Sequence, residues 1–352
     1  MELLYSSVIP VRPTSFSSFR GAFEEQLLRA GEINIATGYV SEDSLMELKS
    51  LLKHYDEQSN RKECDFIIGM HGREGFTRMQ YEAACSLGEY LRDKHMGEVR
   101  VCTAFKFHGK IYSFLKQGKP FASIVGSSNL SGIMGADLQW ETDALFTEEK
   151  SIKDLLNLHH DLVARATQPL LDFKDYKIVS QQHDLLEGRI GAERVDRTEF
   201  EYVKNNRTGL VFDIPLKAEA KSNLNTYFGK GRESKNGAVR PRPWYEVEVI
   251  VSADITSIPG YPKENEPFTV YTDDGWKFRC KVSGQNNKNL RSEDDLQTLG
   301  KWIKGRMETA GVLKVGEPVS IQTLGLYGAD RLVLTATRDS NTWMLDFSPK
   351  GV

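Results

Sequence analysis

Five residues between Phe105 and Glu141 carry side chains that a phosphodiester reaction needs: His108, Lys110, Ser127, Asn129 and Glu141. His108 and Lys110 stand two apart in an alternating run, so period-2 geometry predicts that they share one face of a strand. After a turn, an apolar strand over Ala122–Val125 delivers Gly126, Ser127, Ser128 and Asn129 at its end, and Glu141 follows twelve residues beyond Asn129. Imidazole can serve as nucleophile and as acid or base, since its reference pKa of about 6.5 lies near working pH. Ammonium, hydroxyl and carboxamide groups are fixed donors for phosphoryl oxygens, and a carboxylate can orient a histidine. An H-x-K alone occurs by chance in a chain this long. Joined to G-S-x-N and a following Glu, it points to a site rather than to a half-buried hairpin.

The elements that must position this set alternate. The pattern predicts a strand at Leu3–Ser7, a helix over Phe19–Ala30 stopped by Gly31, and a strand over Ile33–Val40. A helix opened by Ser41, a buried strand Asp65–Met70, a helix Phe76–Leu91 and a strand Val99–Phe105 lead into the H-x-K. A short strand Thr142–Phe146 and a helix Ser151–Ala166 follow. Strands separated by helices suggest layered α/β structure with a largely parallel sheet, and ligands gather at the strand ends of such sheets. His159 and His160 invite a metal reading, but neighbours on a helix point about 100° apart and no third ligand lies close in sequence. His71, at a strand end, could approach the site or be a satisfied loop histidine.

The chain has 352 residues, 39% hydrophobic and 27% charged, with net charge −3. That length suits two domains. No apolar run approaches a membrane span, and MELLYSSVIPVRPTS has neither a basic nor an apolar leader region, so a cytoplasmic protein without membrane contact is expected. Cys64, Cys85, Cys102 and Cys280 are too scattered for a zinc or disulfide framework. Between Asp184 and Glu201 six acidic residues face three arginines. This stretch reads as a linker, either a plain solvated tether or an acidic strand that occupies a basic cleft until a polyanion displaces it.

The second half has short β-type runs: Gly209–Ile214, Trp244–Ser252, Phe268–Tyr271, Trp276–Val282, Val319–Thr323, Arg331–Thr337 and Trp343–Phe347, with one helix, Ser292–Gly305, capped by Ser292. A mostly antiparallel barrel follows. Two of its stretches are basic. Lys221, Lys230, Arg232, Lys235, Arg240 and Arg242 are opposed in sequence by Glu233 alone; Lys277, Arg279, Lys281, Lys288 and Arg291 are opposed by no acid in their run. Interleaved Asn225, Asn236, Gln285 and Asn287 suit a DNA groove, where Arg and Lys reach phosphate or guanine and Asn and Gln pair with adenine.

The H-x-K and G-S-x-N residues, His108, Lys110, Gly126, Ser127 and Asn129, resemble the phospholipase D superfamily. The Asp which that family usually places after the Lys is Leu115 here, a departure familiar among its nuclease branches. With NTYFGKGR, PRPWYEVE and KNLRSEDDLQTLGKWIKG in the second half, the chain resembles restriction endonucleases of that superfamily that carry a plant-B3-like DNA-recognition pseudobarrel. The resemblance implies an α/β class chain: a phospholipase-D-like α/β/α layered nuclease and dimerisation domain over 1–172, a linker over 173–200, and a mostly β B3-like pseudobarrel over 201–352. It implies sequence-specific cleavage of double-stranded DNA through a phosphohistidine on His108, with Lys110, Ser127, Asn129 and Glu141 in support and no metal or other cofactor. The superfamily's site uses two H-x-K sets and this chain has one, so two copies would pair through their N-terminal domains. Members of this group can depend on a separate ATP-driven helicase-like subunit; no G-x-x-x-x-G-K-[ST] occurs here, so ATP hydrolysis would belong to that partner. The rival readings are a non-catalytic DNA-binding protein and a phosphatidyl-group phosphodiesterase. The basic loops and the lack of an amphipathic membrane segment weigh against the second.

Overall fold

The computed structural model describes residues 1–6, 17–134, 140–179, 185–187, 189–219, 222–225, 232–233, 239–240, 242–264 and 266–349. The chain divides into two compact units, Met1–Gln181 with Gly231–Pro241, and Gln182–Lys230 with Arg242–Val352.

The first unit runs β1 (Glu2–Tyr5), α1 (Phe19–Arg29), β2 (Glu32–Thr37), α2 (Glu42–Glu57), β3 (Glu63–Ile68), α3 (His71–Glu74), α4 (Arg78–Asp93), β4 (Gly97–Cys102), β5 (Ile111–Lys116), β6 (Lys119–Gly126), β7 (Thr142–Phe146), α5 (Glu149–Ala166) and β8 (Thr167–Pro169). α2 and α4 start where side chains replace missing backbone partners: Ser41 with Ser44, and Thr77 with Gln80, form reciprocal capping boxes. The strands make one sheet in the order β1-β7-β6-β5-β2-β3-β4-β8. Parallel pairing is confined to β2–β3 and β3–β4, so the largely parallel sheet expected from the alternation is corrected to a mixed one. Connection length is the reason. Lys116 and Lys119 are joined by Gln117 and Gly118 at φ 53° and 72°, a two-residue hairpin that permits only antiparallel pairing of β5 with β6.

Alternation along the strands then builds layers. Ala36, Ile67 and Cys102 face Leu162 and Ala166 of α5. Ile35, one residue from Ala36, pairs in register with Tyr112, and that opposite face carries Phe19 and Phe23 of α1 edge-on to Tyr112 and Phe114. The α/β/α arrangement holds.

The second unit holds β9 (Ala192–Arg194), α6 (Arg197–Asn205), β10 (Arg207–Pro215), β11 (Arg232–Glu233), β12 (Val239–Arg240), β13 (Val249–Ile250), α7 (Ala253–Thr256), β14 (Phe268–Thr272), β15 (Trp276–Ser283), β16 (Asn289–Ser292), α8 (Thr298–Thr309), α9 (Ile321–Tyr327), β17 (Arg331–Thr337) and β18 (Thr342–Asp346), except that β11 and β12, a short antiparallel pair, group with the first unit. Its curled sheet runs β10-β17-β18-β14-β15-β16-β13, with β9 added against β15, and only β14–β18 is parallel. The core beneath it gathers Phe212, Val270, Phe278, Trp302, Leu334 and Leu345. This is the expected mostly β, B3-like half-barrel, with three local corrections: of Trp244–Ser252, read as a strand, only Val249–Ile250 forms one. Val319–Thr323, read as a strand, instead opens α9, because Ser320 caps the helix reciprocally with Thr323. Ser292 closes β16, and the helix expected to begin there starts at Thr298.

Candidate active site and nucleic-acid interface

Six chain segments meet at one end of the first sheet because of its register. β2 ends at Thr37, opposite Ile68 at the end of β3. β5 runs antiparallel to β2, so Ile111 at its start lies beside Ala36. β6 returns to the same end, where Gly126 pairs with Asp143 of β7, and β1 finishes at Tyr5 opposite Thr142. The loops that follow or precede these residues carry Tyr39, His71, His108, Lys110, Asn129 and Glu141. The end of β4 feeds the same place, since Phe107 N–H donates to Gly69 O at 3.2 Å.

His108 and Lys110 do not lie within a strand, as alternation predicted; both precede β5. They still converge. Lys110 Nζ is 3.2 Å from Nδ1 and 3.1 Å from Nε2 of His108 and donates to the His108 carbonyl at 2.8 Å. The imidazole is exposed, whereas Lys110 is buried, at 5% exposure. Burial pushes the Lys110 pKa down and the Glu141 carboxylate pushes it back up. Glu141 is thus electrically coupled to Lys110, while its backbone N–H is held by Ser6 Oγ at 3.0 Å.

Asn129 is fixed by its carbonyl. Oδ1 accepts from Tyr39 N–H at 3.1 Å and Thr37 Oγ1 at 3.3 Å, and among the described residues nothing takes Nδ2. Its loop is shaped by Asp143, buried at 3%, which accepts from Ser128 N–H at 3.0 Å and from the Ser128 hydroxyl. A Cβ on Gly126 would lie 2.2 Å from that carboxylate, so only glycine passes there. Ser127 stands apart in role. Its hydroxyl accepts from Thr142 N–H at 2.9 Å and donates to Thr142 O at 3.3 Å, which makes it a loop clasp.

Three residues of the site carried no sequence signal. Tyr39 sets its ring edge-on to His108 with centroids 5.5 Å apart, and its hydroxyl donates to Glu74 at 2.8 Å; Lys106 Nζ donates to the other Glu74 oxygen at 2.8 Å. The Lys106 and Tyr39 donors hold the Glu74 pKa below its ordinary value, and the hydrogen bond to Glu74 holds the Tyr39 pKa above its own. The one available clue was position, because Gly38 and Tyr39 follow the end of a parallel strand. His71 has both ring nitrogens engaged: Nδ1 lies 2.8 Å from Gly75 O and Nε2 accepts from Val40 N–H at 3.3 Å. It is a satisfied histidine at the start of α3, edge-on to the Tyr39 ring. His159 is a core residue paired with Asp65 at 3.3 Å, and among the described residues no three His, Cys, Asp or Glu gather to hold a metal ion.

Of the basic and amide residues expected to meet DNA, Lys221, Lys230, Lys235 and Asn236 lie outside the described residues, and Arg232 and Arg240 are described only as backbone of β11 and β12. Lys277, Arg279 and Lys281 alternate with the buried Trp276, Phe278 and Cys280 and so form one outward stripe, which Arg291 joins in register with Lys281. The stripe is not free of acid, and here the sequence count is corrected. Lys277 meets Glu193 at 2.9 Å and Glu199 at 3.3 Å, Arg279 meets Glu293 at 2.7 Å, Lys281 meets Glu293 at 3.8 Å, and Arg291 meets Glu248 at 3.8 Å. Each acid comes from outside the basic run or from just past its end. Arg242 pairs with Glu246. Lys288 and Gln285 are exposed. Asn287 is partly a turn requirement, since it and Asn286 sit at φ 54° and 60°, where asparagine is tolerated, and its Oδ1 accepts from Glu264 N–H at 3.0 Å. Asn225 leaves the DNA set: it is 3% exposed, and its carboxamide bonds Val319 N–H and O at 2.8 and 2.7 Å and Glu219 O at 3.1 Å.

Residues 19–171 match the family model of the NgoFVII restriction endonuclease N-terminal PLD domain, and residues 202–338 that of the NgoFVII C-terminal B3-like DNA-binding domain. No curated protein matches the chain significantly. Among solved structures it is similar to phosphatidylserine synthase of Haemophilus influenzae Rd KW20 at 12% identity and TM-score 0.33, with 49% of this chain and 41% of that one covered. It is similar also to Nuc, a phospholipase D family member from Salmonella typhimurium, at 14% and 0.31 over 47% and 94%, and to NucT from Helicobacter pylori at 13% and 0.31 over 47% and 98%. These structural likenesses are too loose to carry an argument. Among the described residues no helix is long and apolar enough to cross a membrane.

Proposed function

The chain belongs to the NgoFVII restriction endonuclease family by both of its domains, and from that premise we propose that it cuts double-stranded DNA at a specific sequence through a phosphohistidine. The observation that carries this reading is the pairing of an exposed imidazole with a buried ammonium 3.1–3.2 Å from its ring nitrogens. A phosphate brought to the imidazole meets that ammonium at once.

In the first step a His108 ring nitrogen attacks phosphorus and the bond from phosphorus to the leaving strand's oxygen breaks. That oxygen takes a proton from the partner subunit's His108. In the second step this same imidazole removes a proton from water, the water oxygen attacks phosphorus, and the phosphorus–nitrogen bond breaks. Lys110 and the Asn129 Nδ2 group hold the non-bridging oxygens, where charge builds up. Glu141 favours the charged form of Lys110 against the cost of burial. One H-x-K per chain makes the site two-fold, closed by a second copy of the first unit. The ammonium and carboxamide take the charge-stabilising part, so no metal ion enters the scheme. The second unit recognises the DNA through the stripe of Lys277, Arg279, Lys281 and Arg291 with Lys288, once phosphates replace their carboxylate partners.

The test is cleavage of supercoiled plasmid in EDTA, followed by quenching a reaction on strand-labelled DNA in SDS at alkaline pH, which preserves an acid-labile phosphorus–nitrogen bond. Label retained on wild-type protein and absent from His108→Ala supports the scheme. Cleavage that needs a divalent ion, or label retained without His108, rejects it.

A further inference from the structure

We propose that Tyr39 is the positioning residue for His108, clamped by Glu74 and Lys106, and that it sets the imidazole and the Asn129 carboxamide in one rigid piece. The inference deepens the phosphohistidine reading and rests on it. Five contacts carry it. The Tyr39 ring stands edge-on to His108 at 5.5 Å and 76°, and edge-on to His71 at 5.5 Å and 83°, so it is a wall between the reacting imidazole and a buried, backbone-bonded one. Its backbone N–H donates to Asn129 Oδ1 at 3.1 Å. Its hydroxyl is tied to Glu74 at 2.8 Å, and Glu74 is tied to Lys106, two residues before His108, at 2.8 Å. The circuit therefore leaves the 106–108 segment through Lys106 and returns to it through the Tyr39 ring.

Gly38 completes the seat. A Cβ there would come within 3.0 Å of His108 Cδ2 and 3.2 Å of His108 Cα, so the end of β2 passes directly under the imidazole. A nucleophile in an exposed loop has several rotamers open to it, and selecting one before DNA arrives removes that ordering from the barrier. A ring misplaced by about 1 Å costs on the order of a hundredfold in rate. The lateral wall is the ring and the clamp is the hydroxyl, so the two parts are separable. Tyr39→Phe keeps the wall; Tyr39→Leu removes it; Glu74→Gln keeps an acceptor for the hydroxyl but drops the charge that holds Lys106.

The full-length protein is assayed by single-turnover cleavage, by DNA affinity, by labelling of His108 after quenching in SDS at alkaline pH, and by the nitrogen-15 signals of the His108 ring. Tyr39→Leu is expected to slow cleavage by roughly 30- to 100-fold with DNA affinity within about twofold of wild type, and to shift or broaden the ring signals. Tyr39→Phe is expected within about threefold of wild type, with Glu74→Gln between the two. Gly38→Ala, whose new Cβ meets His108 Cδ2 and Cα from below, should move the same ring signals. The proposal is overturned if Tyr39→Leu cleaves at the wild-type rate with unmoved ring signals, or if its loss lies in DNA affinity, which would make Tyr39 a DNA contact. A wild-type protein that takes no label on His108 rejects the nucleophile assignment; the ring signals still decide the positioning of the imidazole by Tyr39.

Discussion

At the residue scale, the site separates groups with spare hydrogen-bonding capacity from groups that have spent theirs. Ser127 and Asn129 are two apart in one motif, yet the Ser127 hydroxyl is committed to Thr142 while Asn129 keeps an amide free of partners among the described residues. Ser127→Ala is expected to cost less than tenfold in cleavage rate. Asn129→Ala should cost about a hundredfold, the scale of one lost charge-stabilising donor. Asn129→Asp keeps both contacts to Oδ1 but replaces the donor with a charged oxygen facing the phosphate, so it should fall at least as far; single-turnover rates decide, and equal losses for Ser127→Ala and Asn129→Ala would return the serine to the catalytic set. His71 gives a pH dependence with a definite sign. Burial holds its pKa below 6.5, so the unfolded chain binds the proton first and His71 favours folding above about pH 6.5. That contribution is lost as pH falls through the folded value, when Nε2 can no longer accept from Val40 N–H. Urea denaturation between pH 5 and 7 should show stability falling toward acid in wild type and a flatter profile in His71→Gln.

At the element scale, Asp273 ties more together than any sequence pattern around it suggests. It opens the turn between β14 and β15, accepts both Arg306 guanidinium nitrogens at 2.6 and 2.7 Å, and also accepts from Phe347 N–H at 3.1 Å and the Ser348 hydroxyl at 2.9 Å. Arg306 and Asp273 are 12% and 14% exposed, so Asp273→Ala leaves a guanidinium largely buried without its carboxylate. A loss of about 3 kcal/mol from the second unit's stability is expected in chemical denaturation. A change under about 1 kcal/mol would mean that solvent or Asp274 replaces the carboxylate. In sequence Thr272–Asp273–Asp274–Gly275 is a cluster of turn-forming residues, and nothing in it shows which distant groups Asp273 holds. The same holds elsewhere: local periodicity placed β3, β15, α1 and α5 to within a few residues, because one buried face per element writes itself into the chain. It misread Val319–Thr323, since a capping box at Ser320 outweighs β-branched residues over so short a stretch. It found His108, Lys110 and Asn129 as a motif, but not Tyr39 or Glu74, whose relation to His108 exists only after β2, β3 and β5 pair.

At the scale of the whole molecule, the question is where recognition begins along the chain. Composition made residues 173–200 a linker, and its acidic excess suggested a strand that blocks a basic cleft. In the structure Leu186 is fully buried in the core of the second unit, Arg189 pairs with Asp295 at 3.4 Å, and β9 lies in register along β15 with Glu193 opposite Lys277. Asp196 caps α6 through the N–H groups of Thr198 and Glu199. Much of the acidic charge is therefore used inside the recognition unit, against the basic stripe itself. Two outcomes follow in the full-length protein. Leu186→Ala should destabilise the second unit by about 2–5 kcal/mol, the cost of emptying a core leucine, whereas a solvated tether would show no change. Glu193→Gln combined with Glu199→Gln frees Lys277 for phosphate, and each newly neutralised phosphate steepens the fall of log K with log salt by about 0.9. Fluorescence anisotropy across a salt series should show that steeper slope and tighter binding at low salt. An unchanged slope with the fold intact would mean that Lys277 serves the β9 contact and that DNA approaches another surface of the unit.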